Sequence, residues 1–143
     1  MWHTFVHVLP GLVALVAAGL VVLRLGGRDQ KTAMIAVLVC WLGVTAGQVL
    51  TGRIIAPIVV ADALFAIWLI WFAWKRPVWW IWTLFGIEAL RLMLHASQFG
   101  LQHWLPYARL NNALSLAALA LLSVAAVLHA RRAKLVEASA PAE

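Results

Sequence analysis

Charge is scarce in this chain of 143 residues: Asp, Glu, Lys and Arg make up 11% of it, against about 25% in a typical soluble domain, while 65% is hydrophobic. That balance excludes an ordinary soluble domain and implies an integral membrane protein. Cysteine is nearly absent as well. Cys40 is the single thiol, so no intramolecular disulfide can form and thiol usage says nothing of compartment; inside an apolar run it reads as a packing residue. The net charge of +6 hints at nucleic acid only until the cations are located. They occur in short clusters between apolar runs, with no basic face or aromatic-interleaved patch, so no nucleic-acid partner is expected.

Catalytic signatures are missing. There is no Gly-x-Ser-x-Gly, no His-Glu-x-x-His and no glycine-rich phosphate loop, so the chain is not expected to be an enzyme. Met1-Trp2-His3 lacks the positive n-region of a secretory signal, and the following apolar run is closed by Arg24 in place of a small-residue cleavage site. The first segment is therefore expected to stay in the mature protein. No acylation or prenylation motif is present at either end.

What the chain has is long apolar runs. A helical span needs about 20 mostly apolar residues. Breaks at Gly26 to Lys31, at Thr51-Gly52-Arg53 before Pro57, at Lys75-Arg76-Pro77 and from Phe99 to Pro106 leave five such stretches, at about 4–25, 32–50, 55–74, 78–98 and 107–130. The second is the least regular, because threonine and glycine recur in it. Short connections make successive helices antiparallel neighbours. The expected fold is all-α: a polytopic transmembrane bundle of five antiparallel helices over 1–130, followed by a tail at 131–143 that is disordered after one further helical turn.

Direction follows from the cations at the span ends. With the N-terminus outside, Arg24, Arg28, Lys31, Lys75, Arg76, Arg131, Arg132 and Lys134 are cytoplasmic, and only Arg53 and Arg109 are external. The sequence thus predicts a multi-pass protein of the bacterial inner membrane, N-terminus out and C-terminus in. Aromatic rings fit this placement: Trp74, Trp79, Trp80 and Trp82 flank the inner turn at Lys75-Arg76-Pro77, and Trp2, Trp104 and Tyr107 mark the outer interface. Trp68 and Trp71 lie deeper and read as packing or lipid-facing residues, with a flat ligand-binding surface as the alternative.

The few polar residues within the spans are not scattered. Glu88, Arg91 and His95 are spaced three and four apart, on one helical face. Ionisable groups in a membrane-spanning helix cost roughly 2.5–3.5 kcal/mol each on insertion scales, so they normally face a partner or a watery cavity. At a rise of about 1.5 Å per residue, Asp62 on the third span and Arg91 on the fourth fall at the same depth, ~10 Å below the outer surface, and are expected to pair. Glu88 lies one turn deeper and His95 one turn shallower. Gln48 on the second span, Asn111, Asn112 and Ser115 on the fifth and His7 on the first occupy the same outer half. A polar pocket or ligand-binding layer is expected there, weighed against a purely structural hydrogen-bonding and ion-pair cluster.

Gly43 and Gly47 form a Gly-x-x-x-Gly step that would let helices pack closely. His3 and His7 have a possible metal-ligand spacing, with His95 and His103 on the same side, and a haem between His7 and His95 is geometrically conceivable. A metal site needs three converging ligands with supporting carboxylates, and membrane cytochromes usually show clearer histidine pairs. No cofactor is therefore expected.

The segments Ala61-Asp62-Ala63-Leu64-Phe65, Lys75-Arg76-Pro77-Val78-Trp79-Trp80 and Leu92-Met93-Leu94-His95-Ala96 resemble those of small five-span bacterial inner-membrane proteins without an assigned activity. The resemblance covers the last two thirds of the chain and implies a five-helix bundle with a role for Asp62 and His95. It does not extend to the proline- and tryptophan-containing motifs of tryptophan-rich translocator-type sensory proteins.

Two functional expectations follow. The first is a non-catalytic accessory or structural subunit, assembling in the bilayer with itself or with other membrane subunits, because the loops offer little to a soluble partner. The second is a small transporter, channel or proton-handling protein using Asp62, Glu88, Arg91 and His95. A haem- or metal-binding membrane protein is the third alternative.

Overall fold

The computed structural model describes residues 2–51, 55–98 and 104–139, with side chains described over 11–51, 56–97 and 106–139. The side chains of Trp2, His3, His7 and Trp104, and the whole of Arg53 and His103, lie outside the described residues, and so do the expectations placed on them. The fold is all-α. Five helices follow one another: α1 Trp2–Leu25, α2 Arg28–Thr51, α3 Ile55–Lys75, α4 Trp79–Gln98 and α5 Trp104–Ser139. No strand occurs among the described residues.

Among the described residues, three helices are long and apolar enough to cross a membrane: α2, Ala56–Lys75 of α3 and Pro106–Ser139 of α5. Only 11% of the most apolar stretch of α2 is buried, and 33% and 28% of those of α3 and α5. Such outward-facing apolar surface would be a liability in water and is the natural state in lipid. By length and composition these helices suit a membrane protein. The part of α1 whose side chains are described, Gly11–Leu25, is apolar as well. Despite its threonines and glycines, α2 is thus as clear a candidate span as the others, whereas α4, which carries Glu88, Arg91 and His95, is not among the three.

The chain forms two compact units, one of Met1–Met34 with Leu119–Glu143 and one of Ile35–Ala118. In the first, the core is Leu15, Ala18 and Val22 of α1, Ala33 and Met34 of α2, and Leu119, Leu122, Ala125 and Ala126 of α5. In the second, α3 packs on α4. The buried residues of α3 are Asp62, Phe65, Ala66, Leu69, Phe72 and Ala73, and those of α4 are Trp80, Ile81, Leu84, Glu88 and His95. Spacings of three and four give each helix one stripe, and the polar residues continue the apolar stripes. Pro77 lies in the short connection between them, where Arg76 N–H donates to the Phe72 carbonyl at 2.9 Å and closes the end of α3.

Two expectations about this framework need correction. The tail is helical through Ser139, because Arg131, Arg132, Ala133, Lys134 and Leu135 are strong helix formers and no proline intervenes before Pro141. Trp80, assigned to the interface by its sequence position, is buried in the core of its unit. Within the chain, a Cβ on Gly43 would meet nothing within 4 Å, while one on Gly47 would lie 2.9 Å from Pro57 Cβ. Cys40 Sγ lies 3.9 Å from the Ala61 carbonyl oxygen, so α3 meets the face of α2 that carries Cys40 and Gly47, and Gly43 stands on its flank.

Candidate functional site

Asp62 lies on α3 at the end of the apolar stripe formed by Phe65, Leu69 and Phe72, and Glu88, Arg91 and His95 continue the α4 stripe of Ile81 and Leu84. Packing these stripes together brings the carboxylates, guanidinium and imidazole into one cluster. Arg91 is its centre. Its Nη2 is 3.0 Å from Asp62 Oδ2, its Nη1 is 2.9 and 3.2 Å from the two Glu88 oxygens, and its Nε donates to Asn111 Oδ1 at 3.3 Å. Three guanidinium nitrogens thus hold three partners on three helices, a division that the planar five-donor fork permits.

The second arm runs through His95, whose Nε2 is 2.7 Å from the same Asp62 oxygen and whose Nδ1 is 2.8 Å from the Tyr107 hydroxyl. Asp62, Glu88, His95 and Tyr107 are buried, His95 and Glu88 to 1% exposure. An ionised carboxylate only accepts, so Nε2–H donates to Asp62; a neutral imidazole then accepts the Tyr107 O–H at Nδ1. Protonation of His95 makes both nitrogens donors, and the phenol oxygen becomes the acceptor. The result is a continuous chain from Glu88 through Arg91, Asp62 and His95 to Tyr107. Every buried side-chain nitrogen or oxygen among the described residues has a hydrogen-bond partner.

Of the expected site residues, the structure joins Asp62, Glu88, Arg91, His95 and Asn111 directly. Ser115 is half-buried one turn beyond Asn111, and its hydroxyl donates to the Asn111 carbonyl at 2.9 Å. Gln48 is half-buried on α2. Asn112 is exposed: neighbouring helical positions diverge by about 100°, so only one of two adjacent asparagines can face inward. Tyr107, which its sequence position places at the interface, is instead buried against His95. Its helical spacing to Asn111 and Ser115 was the available signal, since 107, 111 and 115 share a face.

Both ring nitrogens of His95 are engaged, so ligating a haem or metal there would forfeit Asp62 or Tyr107. No group of three His, Cys, Asp or Glu side chains arranged to hold a metal ion occurs among the described residues. The aromatic residues of α3 stack, with Trp68 between Phe65 and Phe72 at centroid distances of 5.7 and 4.8 Å. That packing engages Trp68, whereas the Trp71 ring stays exposed beneath Lys75 Nζ. Comparison of the chain with family models, curated proteins and solved structures gives no match.

Proposed function

We propose that this is a non-catalytic, five-pass protein of the bacterial inner membrane, its helices antiparallel and its N-terminus outside, that binds and releases a proton at the Asp62, Glu88, Arg91, His95 and Tyr107 cluster. The observation that carries this reading is a charge count. Two carboxylates share one guanidinium, which stays protonated. With a neutral imidazole the cluster therefore bears one uncompensated negative charge, and burial away from water makes such a charge costly. One added proton removes it. Around His95 the titratable groups are Asp62 on α3, Glu88 and Arg91 on α4, and Tyr107 on α5; Cys40 of α2 lies beside Ala61. The proton can reside on the imidazole or on a carboxylate, and short hydrogen bonds connect these positions.

The experiment is reconstitution into liposomes with an internal pH-sensitive dye. Proton movement that disappears in Asp62→Asn, in protein that still folds, supports the proposal. Absence of flux in the wild-type protein would leave the other reading, a structural subunit of a homo- or hetero-oligomeric membrane complex. That second reading is favoured by the complete hydrogen-bond satisfaction of the cluster, and crosslinking in native membranes tests it directly.

A further inference from the structure

The unit made of Met1–Met34 and Leu119–Glu143 carries a concentration of charge of its own. Between α1 and α2 the chain reverses through Gly26 and Gly27, where Gly26 N–H donates to the Val22 carbonyl at 2.8 Å. A Cβ on Gly27 would lie 2.7 Å from His129 Nε2, so α5 passes directly against this turn. His129 falls on the same face of α5 as the buried Leu119, Leu122 and Ala126 but is itself exposed, and exposed Arg132 follows it one turn later. Contact at Gly27 therefore sets the level of the basic end of α5. Arg24 and Arg28 flank the turn, Lys31 is one helical turn further on, and Arg131, Arg132 and Lys134 follow His129 within two turns. These six cations are joined by only two described carboxylates of the same unit, Asp29 and Glu137.

Helix length fixes where this basic end sits. The 36 residues of α5 span ~54 Å at ~1.5 Å per residue, against a hydrocarbon core of ~30 Å. One end must leave the core. The α1–α2 turn must also lie at the membrane surface, because a reversing backbone has unpaired polar groups that lipid tails cannot satisfy. His129 meets that turn, so residues 129–134 lie among the headgroups and the remainder of α5 projects past them.

We infer that this end of the unit is a binding site for the phosphate of an anionic phospholipid, with Arg28 and Arg132 as its central cations and Arg24, Lys31, Arg131 and Lys134 around them. Guanidinium groups match phosphate oxygens in a bidentate manner, and basic pockets between membrane helices on the cytoplasmic side suit such headgroups. The inference rests on the membrane reading and is independent of proton handling. A free phosphate ion offers the same oxyanion chemistry, but the position at the end of apolar helices favours one tethered to acyl chains.

The test compares the full chain in nanodiscs of phosphatidylcholine alone with nanodiscs containing phosphatidylglycerol or cardiolipin, reading melting temperature and lipid retained after detergent extraction. The expected result is a higher melting temperature and enrichment of anionic lipid, both reduced several-fold in Arg28→Gln/Arg132→Gln and retained in Lys75→Gln/Arg76→Gln. Equal loss in both variants would mean general attraction to cations and would overturn a localised site. An equal rise on adding inorganic phosphate to phosphatidylcholine discs would overturn the lipid in favour of the free ion. Failure of the protein to enter nanodiscs at all defeats the membrane reading itself, whereas entry without lipid preference defeats only this inference.

Discussion

Asp62 Oδ2 accepts from two cation-capable groups at once, lying 2.7 Å from His95 Nε2 and 3.0 Å from Arg91 Nη2. One oxygen therefore couples the imidazole arm of the cluster to its guanidinium arm. A change at either arm should be felt at the other, since residues in one hydrogen-bonded network couple by about 0.5–3 kcal/mol.

Tyr107→Phe tests the imidazole arm. The ring still fills its buried place, but His95 Nδ1 loses its partner, and a buried polar group left unpaired costs about 1–3 kcal/mol. Thermal unfolding in lipid should show a loss of that order. The imidazole should keep the Nε2–H tautomer that Asp62 holds, while its Nδ1 resonance, followed by nitrogen NMR of labelled histidine, moves as that hydrogen bond is lost; an unchanged Nδ1 resonance would show that Tyr107 does not bond it.

Arg91 tests the other arm through two substitutions. Arg91→Leu strands two buried carboxylates and should destabilise the protein by about 3–5 kcal/mol. Arg91→Lys supplies one ammonium where three separate nitrogens now reach Asp62, Glu88 and Asn111, so it should recover only part of that loss. Detergent or nanodisc melting curves report both. Equal stability of wild-type and Arg91→Lys protein would mean that the fork geometry is immaterial.

Much of this arrangement was legible because helical spacing carries it. Glu88, Arg91 and His95 share a face in any α-helix, and counting residues from the connection at Lys75-Arg76-Pro77 puts Asp62 and Arg91 at one level. Tyr107 was not legible in the same way. A tyrosine in the first turn of a span looks the same whether it anchors at the headgroups or turns toward a neighbouring helix, and only the approach of α4 decides. Asn111 and Asn112 differ by one position, so apolar periodicity too coarse to fix the rotation of α5 could not separate them. Gly43 and Gly47 illustrate the converse: a sequence step names two small residues, but the helix approaching at Pro57 uses one.

That asymmetry gives a paired prediction. Gly47→Ala puts a Cβ 2.9 Å from Pro57 Cβ, against a ring that cannot rotate away, and overpacking of this kind costs about 1–3 kcal/mol. Gly43→Ala meets open space and should be neutral or gain about 0.5–1 kcal/mol from better helix propensity. Comparing the two melting temperatures in the same nanodiscs checks this directly, and equal destabilisation would point to a second packing surface at Gly43.

The charge count makes a sharper prediction, because it is non-additive. Glu88→Gln leaves Asp62 and Arg91 as a balanced pair with a neutral imidazole, so the cluster no longer needs an added proton and stability should change by less than about 1 kcal/mol. Asp62→Asn likewise leaves Glu88 to balance Arg91, at the added cost of His95 losing its charged acceptor. The double variant has no carboxylate on the guanidinium at all. A buried arginine without counter-charge should then cost about 3–5 kcal/mol, well beyond the sum of the single effects. A thermodynamic cycle from unfolding in lipid measures this excess, and the same proteins report on the proton: both single variants should lose flux, because neither retains the surplus negative charge that holds it. Additive stabilities, or flux preserved in Glu88→Gln, would show that the two carboxylates do not share Arg91 as one electrostatic unit.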